Sequence, residues 1–293
     1  MKVREMEVDS ALAATWLEGN VHNRRLREDV VQRYSRDMKA GRWRLTHECI
    51  AFDQDGVMVD GQHRCWAVVE SGAIVRFMVA TEVDPASQAV IDGGLPRTMV
   101  DVMHLTYQEQ DVTSMDVALA KALAQGKMTG SLTRQEIVEA FTRYKPAIRF
   151  AIEVFPRKIR HVTVAPVLTV IARAYYTANR DRLARFCEVL ASGAGQKADG
   201  EASVITLRNW LLERSPIHGR GKTLSHQAAV YGKTERALSA FLLDEKVTTL
   251  YAATSELFPL PIEKAKNGEV KVPKLVKRKA REIRTALQQR KGA

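Results

Sequence analysis

The chain has 293 residues, 45% of them hydrophobic and 27% charged, with a formal net charge of +11. Such a composition buries a core, and at about 150 residues per domain the length fits one large domain or two. No run of about 18 apolar residues is present to span a membrane, the start Met1-Lys-Val-Arg-Glu-Met-Glu lacks a signal-peptide stretch, and three scattered cysteines (Cys49, Cys65, Cys187) make no disulfide framework.

Ser10–Glu18 reads as a short helix with Ser10 as its N-cap and Gly19-Asn20 as its end. Arg27–Lys39 is a clearer helix. Val30, Val31, Tyr34 and Met38 share one face there, and Gly41 follows as a stop. Cys49–Phe52 and Val57–Val59 flank Asp53-Gln-Asp-Gly56, a hairpin in which Asp-Gly supplies the positive φ of a tight turn. The second run enters Asp60-Gly-Gln-His-Arg64, and a helix leaves it, closing at Ser71-Gly72. Ile74–Ala80 reads as a strand and Pro85–Asp92 as a short helix before Gly93-Gly94-Leu-Pro96.

From about Val100 the apolar spacing turns helical. It marks Val117–Ala124, Thr133–Tyr144, Val162–Ala178 and Arg180–Ala191, then stretches near 203–213 and 232–242. Gly193–Gly200 reads as a loop, and Pro259, Pro261 and Asn267-Gly268 as a linker. The expected class is α+β, with a small mixed domain at 1–105, a mostly helical domain at 106–262 and a basic tail at 263–293.

The charge is focused. The tail from Lys264 holds eleven basic residues against Glu269 and Glu282, leaving the rest of the chain close to neutral. Lesser basic stretches run over 20–44 and 143–185. A phosphate-rich partner explains such focusing, and a solvated tail is the plain alternative. Lys274, Lys277, Arg278, Lys279 and Arg281 are the candidate nucleic-acid contacts in the tail. Arg42 and Arg44 are further candidates, flanking Trp43 as an exposed stacking aromatic.

The segment Asp60-Gly-Gln-His-Arg64 carries the strongest chemical signal. A helix that starts there aims its first amides and its positive dipole end at an anion, and Arg64 offers forked donors to phosphate. An ordinary turn, with Gly61 at unusual φ and Arg64 paired to Asp60, fits the same residues. Ile91–Asp101 is a second candidate. Arg97 and Thr98 at a helix start could grip phosphate, with Asp92 or Asp101 for Mg²⁺ or a proton; a plain helix cap of Thr98 with Asp101 fits equally. Gly219-Arg-Gly-Lys-Thr223 has Pro216 where a P-loop needs its leading glycine, so a basic surface loop is expected. His47-Glu48-Cys49 has no Cys-x-x-Cys to complete a zinc site.

The succession Asn23-Arg-Arg-Leu, amphipathic helix, Gly41-Arg-Trp, hairpin and DGQHR box resembles the N-terminal domain of the ParB/sulfiredoxin superfamily over roughly residues 8–105. Its DGQHR branch, with DNA-phosphorothioation regulators and many bacteriophage ParB-like proteins, is the most similar. Leu207-Arg-Asn-Trp and Phe258-Pro-Leu-Pro extend a weaker likeness to about 262. The resemblance implies a nucleoside triphosphate, ATP or CTP, with Mg²⁺, held by Gly61, Gln62, His63 and Arg64 and by Asn23, Arg24 and Arg25, joined by Arg97 and Thr98. It implies Asp60 and Asp92 as metal carboxylates and Asp60, His63 and Asp92 as catalytic candidates, for NTP hydrolysis or phosphoryl transfer on DNA. Glu48 is a further candidate base for a kinase-type reaction on a small molecule or modified base. Sulfiredoxins carry their reactive cysteine where this chain has Gln62, so sulfinic-acid reduction is not expected. The expected setting is the cytoplasm, of a bacterial host if the chain is phage-encoded, with DNA as partner, no membrane contact, and room for a homodimer. A regulator or scaffold that binds DNA without turnover is the alternative.

Overall fold

A computed structural model describes residues 1–20, 23, 25–89, 97–125, 131–195, 199–213, 224–245, 247, 249–253 and 256–261. The protein is α+β and divides into two compact units: Met1–Pro96 with Thr129–Gln135, and Arg97–Met128 with Glu136–Lys266. This division falls nearer the start of the chain than the expected boundary at 105.

The first unit is built on β1 (Lys2–Val8), β2 (Ile50–Phe52), β3 (Met58–Asp60) and β4 (Val75–Thr81), in the order β1-β4-β2-β3. β1 runs antiparallel to β4, β4 parallel to β2, and β2 antiparallel to β3. Three helices, α1 (Ser10–Glu18), α2 (Glu28–Lys39) and α3 (Gln62–Ser71), bring an apolar face each to one core. Val31 and Met38 of α2, Cys65 and Val68 of α3, and Ile50 and Met58 of the hairpin are buried in it. A 3₁₀ turn follows at Pro85–Ala89.

Local chemistry explains these boundaries, with corrections to the expected ones. Asp9, not Ser10, caps α1: its carboxylate accepts from the Leu12 N–H at 2.8 Å, while the Ser10 hydroxyl donates to the Val68 carbonyl of α3 at 3.3 Å. Gly41, at φ +66°, ends α2 with the Arg42 N–H donating to the Asp37 carbonyl at 2.9 Å. In the hairpin, Asp53 Oδ1 accepts from the Asp55 and Val57 amides at 2.9 and 2.8 Å, and Gly56 takes φ +77°. Trp43 is not a free aromatic: it is half-buried, edge-on to Tyr34 at 5.4 Å and to Phe77 at 5.5 Å.

The second unit is helical: α4 (Met99–Tyr107), α5 (Ser114–Gln125), α6 (Arg134–Glu153), α7 (Ala165–Ala174), α8 (Arg180–Ser192), α9 (Asp199–Glu213) and α10 (Leu224–Leu242). Leu119, Phe141, Ile171, Phe186, Leu207 and Leu238 are fully buried in it. α6 runs through Pro146 instead of stopping at Tyr144, because Ala147, Ile148 and Ala151 continue its buried face. After α10 the chain is pinned back onto the helices. The Leu257 N–H donates to Glu235 at 3.1 Å, and Arg173 donates to the Phe258 carbonyl at 3.0 Å while pairing with Glu256. Among the described residues, no helix is long and apolar enough to cross a membrane.

Candidate functional site

β3 delivers Asp60 to Gly61, and α3 starts at the next residue. Gly61 sits at φ +113°, and its carbonyl accepts from the Arg64 and Cys65 amides at 2.9 and 3.0 Å, closing the first turn. A Cβ at Gly61 would lie 2.9 Å from Ile50 Cγ2 and 3.2 Å from Ile50 Cα. Glycine is therefore required twice, by the left-handed backbone and by the closeness of β2. Gly61, as N-cap, has no side chain with which to cap α3, and the positive end of the helix dipole lies at this turn.

Around that end lies a polar cluster. Asn20 and Gln62 are both buried, and Asn20 Nδ2 donates to Gln62 Oε1 at 3.3 Å. Asn23 Nδ2 donates to Asn20 Oδ1 at 2.6 Å and to the Met58 carbonyl at 2.7 Å. His63, also buried, uses Nε2 to accept from the Arg27 backbone N–H at 3.1 Å, which places its ring proton on Nδ1 in the neutral form. Asn23 is thus tied to β3 and to Asn20, and Arg27 to His63 of α3. Between the ties Arg25 is exposed and has no partner among the described residues.

Arg64 is directed inward. Its guanidinium donates to Asp60 Oδ2 at 2.6 Å, to the Glu48 carbonyl at 2.8 Å and to the Cys49 carbonyl at 2.9 Å. The side chain is 11% exposed, against 37% for Asp60. This is the paired-turn arrangement anticipated as the alternative, and it fastens the entry of β2 to the box. Cys65, next in sequence, is buried, and burial outweighs the Arg64 charge to push its thiol up to about 12. Its thiolate is absent at neutral pH, so it offers no nucleophile.

The structure therefore gathers Asn23, Asp60, Gly61, Gln62, His63 and Arg64 at one helix start, with Arg25 on the adjoining segment. Sequence reasoning missed Asn20, taken only as a helix terminator, and the Arg27 amide, whose partner lies 36 positions away. A short amide directly after a Gly stop is a thin signal for a buried hydrogen-bonding centre. Arg97 and Thr98 lie in the second unit. Thr98 caps α4: its N–H and hydroxyl both donate to Asp101 Oδ2 at 2.7 Å, and its oxygen accepts from the Asp101 N–H at 3.2 Å. Those bonds from Thr98, the side-chain one first, hold the Asp101 carboxyl below its ordinary range.

Of the remaining candidates, Arg42 pairs with Asp37 at 3.1 Å and Arg44 is exposed. Asp92, Arg24, the 219–223 loop and the tail with Lys274, Lys277, Arg278, Lys279 and Arg281 lie outside the described residues. Among the described residues, no three His, Cys, Asp or Glu side chains form a metal-holding group. Comparison with protein-family models, curated proteins and solved structures found no match.

Proposed function

We propose that the protein is a ParB-like nucleotide-binding protein that acts on DNA. In this reading ATP or CTP, with Mg²⁺, sits with its phosphates at the start of α3. The observation that supports it is the pair of bonds flanking Arg25: Asn23 donates to the Met58 carbonyl of β3 and the Arg27 amide donates to His63 of α3, so an exposed arginine stands in sequence between two residues tied to the box. A positively polarised helix start with an arginine on the adjoining segment suits a triphosphate. Gln62 and His63 shape the cluster, Arg64 keeps the box closed, and Asp60 and Asp92 are the carboxylates for Mg²⁺ or a proton. The basic tail, with Arg42 and Arg44, supplies DNA contacts.

A second reading, a DNA-binding regulator or scaffold without turnover, is favoured by one observation. Arg64 is engaged by Asp60 and two backbone carbonyls, and His63 Nε2 by the Arg27 amide, so both side chains serve the fold first. Turnover of ATP, CTP, GTP and UTP with Mg²⁺, with and without duplex DNA, separates the two. Phosphate release with a base preference supports the enzyme, nucleotide binding without release supports the regulator, and no binding of any nucleotide overturns the nucleotide-binding reading.

A further inference from the structure

The turn joining α6 to α7 gathers three cations that no other described residue neutralises. Arg157, Lys158 and Arg160 are exposed, and none makes an ion pair or hydrogen bond with another described residue. This differs from much of the same unit, where Lys145, Arg149, Arg173, Arg185 and Arg236 each pair with a carboxylate. The sequence explains the difference: between Glu153 and Asp181 there is no acidic residue.

The turn is held firmly. Phe155 and Val162 are buried at its two ends. The Ile159 carbonyl accepts from the Val162 amide at 3.1 Å, the Thr163 amide at 2.9 Å and the Thr163 hydroxyl at 3.0 Å. The Ile159 amide donates back to Thr163 Oγ1 at 3.0 Å, and His161 takes φ +67° to close the loop. Cations fixed on an ordered turn lose less freedom on binding than cations on a mobile tail. One helical turn before it, Phe150 packs on Tyr175 at 5.4 Å, and the Arg180 guanidinium lies over the Tyr175 ring at 4.2 Å. A guanidinium stacked by its face keeps its N–H edge for an oxyanion.

We propose that this turn is a docking surface for nucleic acid, gripping the phosphodiester backbone with Arg157, Lys158 and Arg160, and Arg180 beside them. The inference rests on the reading that the protein acts on DNA, and assigns part of that contact to the helical unit. Backbone contacts carry no base readout, so binding here is insensitive to sequence. A lipid surface fits less well. None of the exposed large hydrophobic residues lies in the turn, and Ile159 is half-buried, whereas membrane-surface segments set apolar side chains beside their cations.

The test is fluorescence anisotropy of the full chain with labelled duplex DNA, between about 50 and 200 mM salt. Arg157→Gln, Lys158→Gln and Arg160→Gln combined should weaken binding about 100-fold near 100 mM salt and lower the log–log salt slope by about 2 to 3. Arg157→Lys with Arg160→Lys, which keeps the charge, should stay within a few fold. The single changes Arg157→Gln and Arg160→Gln should each lower the slope by about 0.9, which keeps the test open if the triple variant fails to fold. Nucleotide binding, measured on the same preparations, should be unchanged. If the wild type binds DNA and the triple variant matches it in affinity and slope, the turn is excluded while the DNA reading stands. A wild type that binds no DNA overturns both. Loss of binding to phosphatidylserine vesicles with DNA binding intact reassigns the turn to a membrane surface and overturns the proposal.

Discussion

His63 Nε2 accepts a hydrogen bond from the backbone N–H of Arg27 at 3.1 Å, so the start of α3 holds the entry to α2. Arg27 is the N-cap of α2 and makes no side-chain cap bond of its own. The box and the segment before α2 are therefore one structural piece, and a change in either reaches the other.

Removing the acceptor tests that coupling. His63→Ala leaves the Arg27 amide without its partner and opens space in a buried position, with an expected cost of about 1–3 kcal/mol. His63→Gln, which keeps an acceptor of similar reach, should recover part of it. Urea denaturation of the three proteins measures the difference, and an alanine variant as stable as wild type would show that the bond holds nothing.

The thiols should divide by burial. Cys49 is half-exposed, whereas Cys65 and Cys187 are buried and burial raises both thiols. At pH 8 a maleimide should therefore modify Cys49 alone in the native protein, and all three cysteines once it is denatured. Rapid native labelling of Cys65 would contradict its place in the core beneath the box.

Glu235 gives a pH dependence. Burial, the largest cause, raises its carboxyl above the ordinary 4.5 even though the Leu257 amide donates to it. Because the folded value lies above the unfolded one, its contribution to stability is full below pH 4.5 and is lost as pH rises through the folded value. Glu235→Gln keeps the acceptor and removes the charge. Its melting temperature at neutral pH should equal or exceed that of wild type, and the decline from acid to neutral pH should flatten. A variant that melts lower at neutral pH with an unchanged profile would mean that the charge itself is needed there.

Much of the first unit was legible because its signals are local. Asp53–Gly56 and Gly41 set backbone angles on their own, and the spacing of Val31 and Met38 marks the buried face of α2. The failures are tertiary. β1 went unread because Lys-Val-Arg-Glu-Met-Glu-Val exposes most of its length at a sheet edge, with Val8 its buried residue. The helix expected over Thr133–Tyr144 runs on through Pro146 to Glu153, because Ala147, Ile148 and Ala151 continue its buried face. Asp60-Gly-Gln-His-Arg64 announced a strand–turn–helix passage and the Arg64–Asp60 pair, yet the Glu48 and Cys49 carbonyls that also hold Arg64 were beyond reach, being backbone groups 16 and 15 positions away.

Arg25 gives the most direct test of a triphosphate at the start of α3. It is exposed and has no partner among the described residues, so Arg25→Ala should leave the melting temperature unchanged. Calorimetric titration of ATP and CTP with Mg²⁺ should show the wild type binding at least one of them and Arg25→Ala binding it about tenfold or more weakly, the loss of a charge-assisted contact. A folded wild type that binds neither nucleotide, or a variant that binds as tightly, would contradict the account.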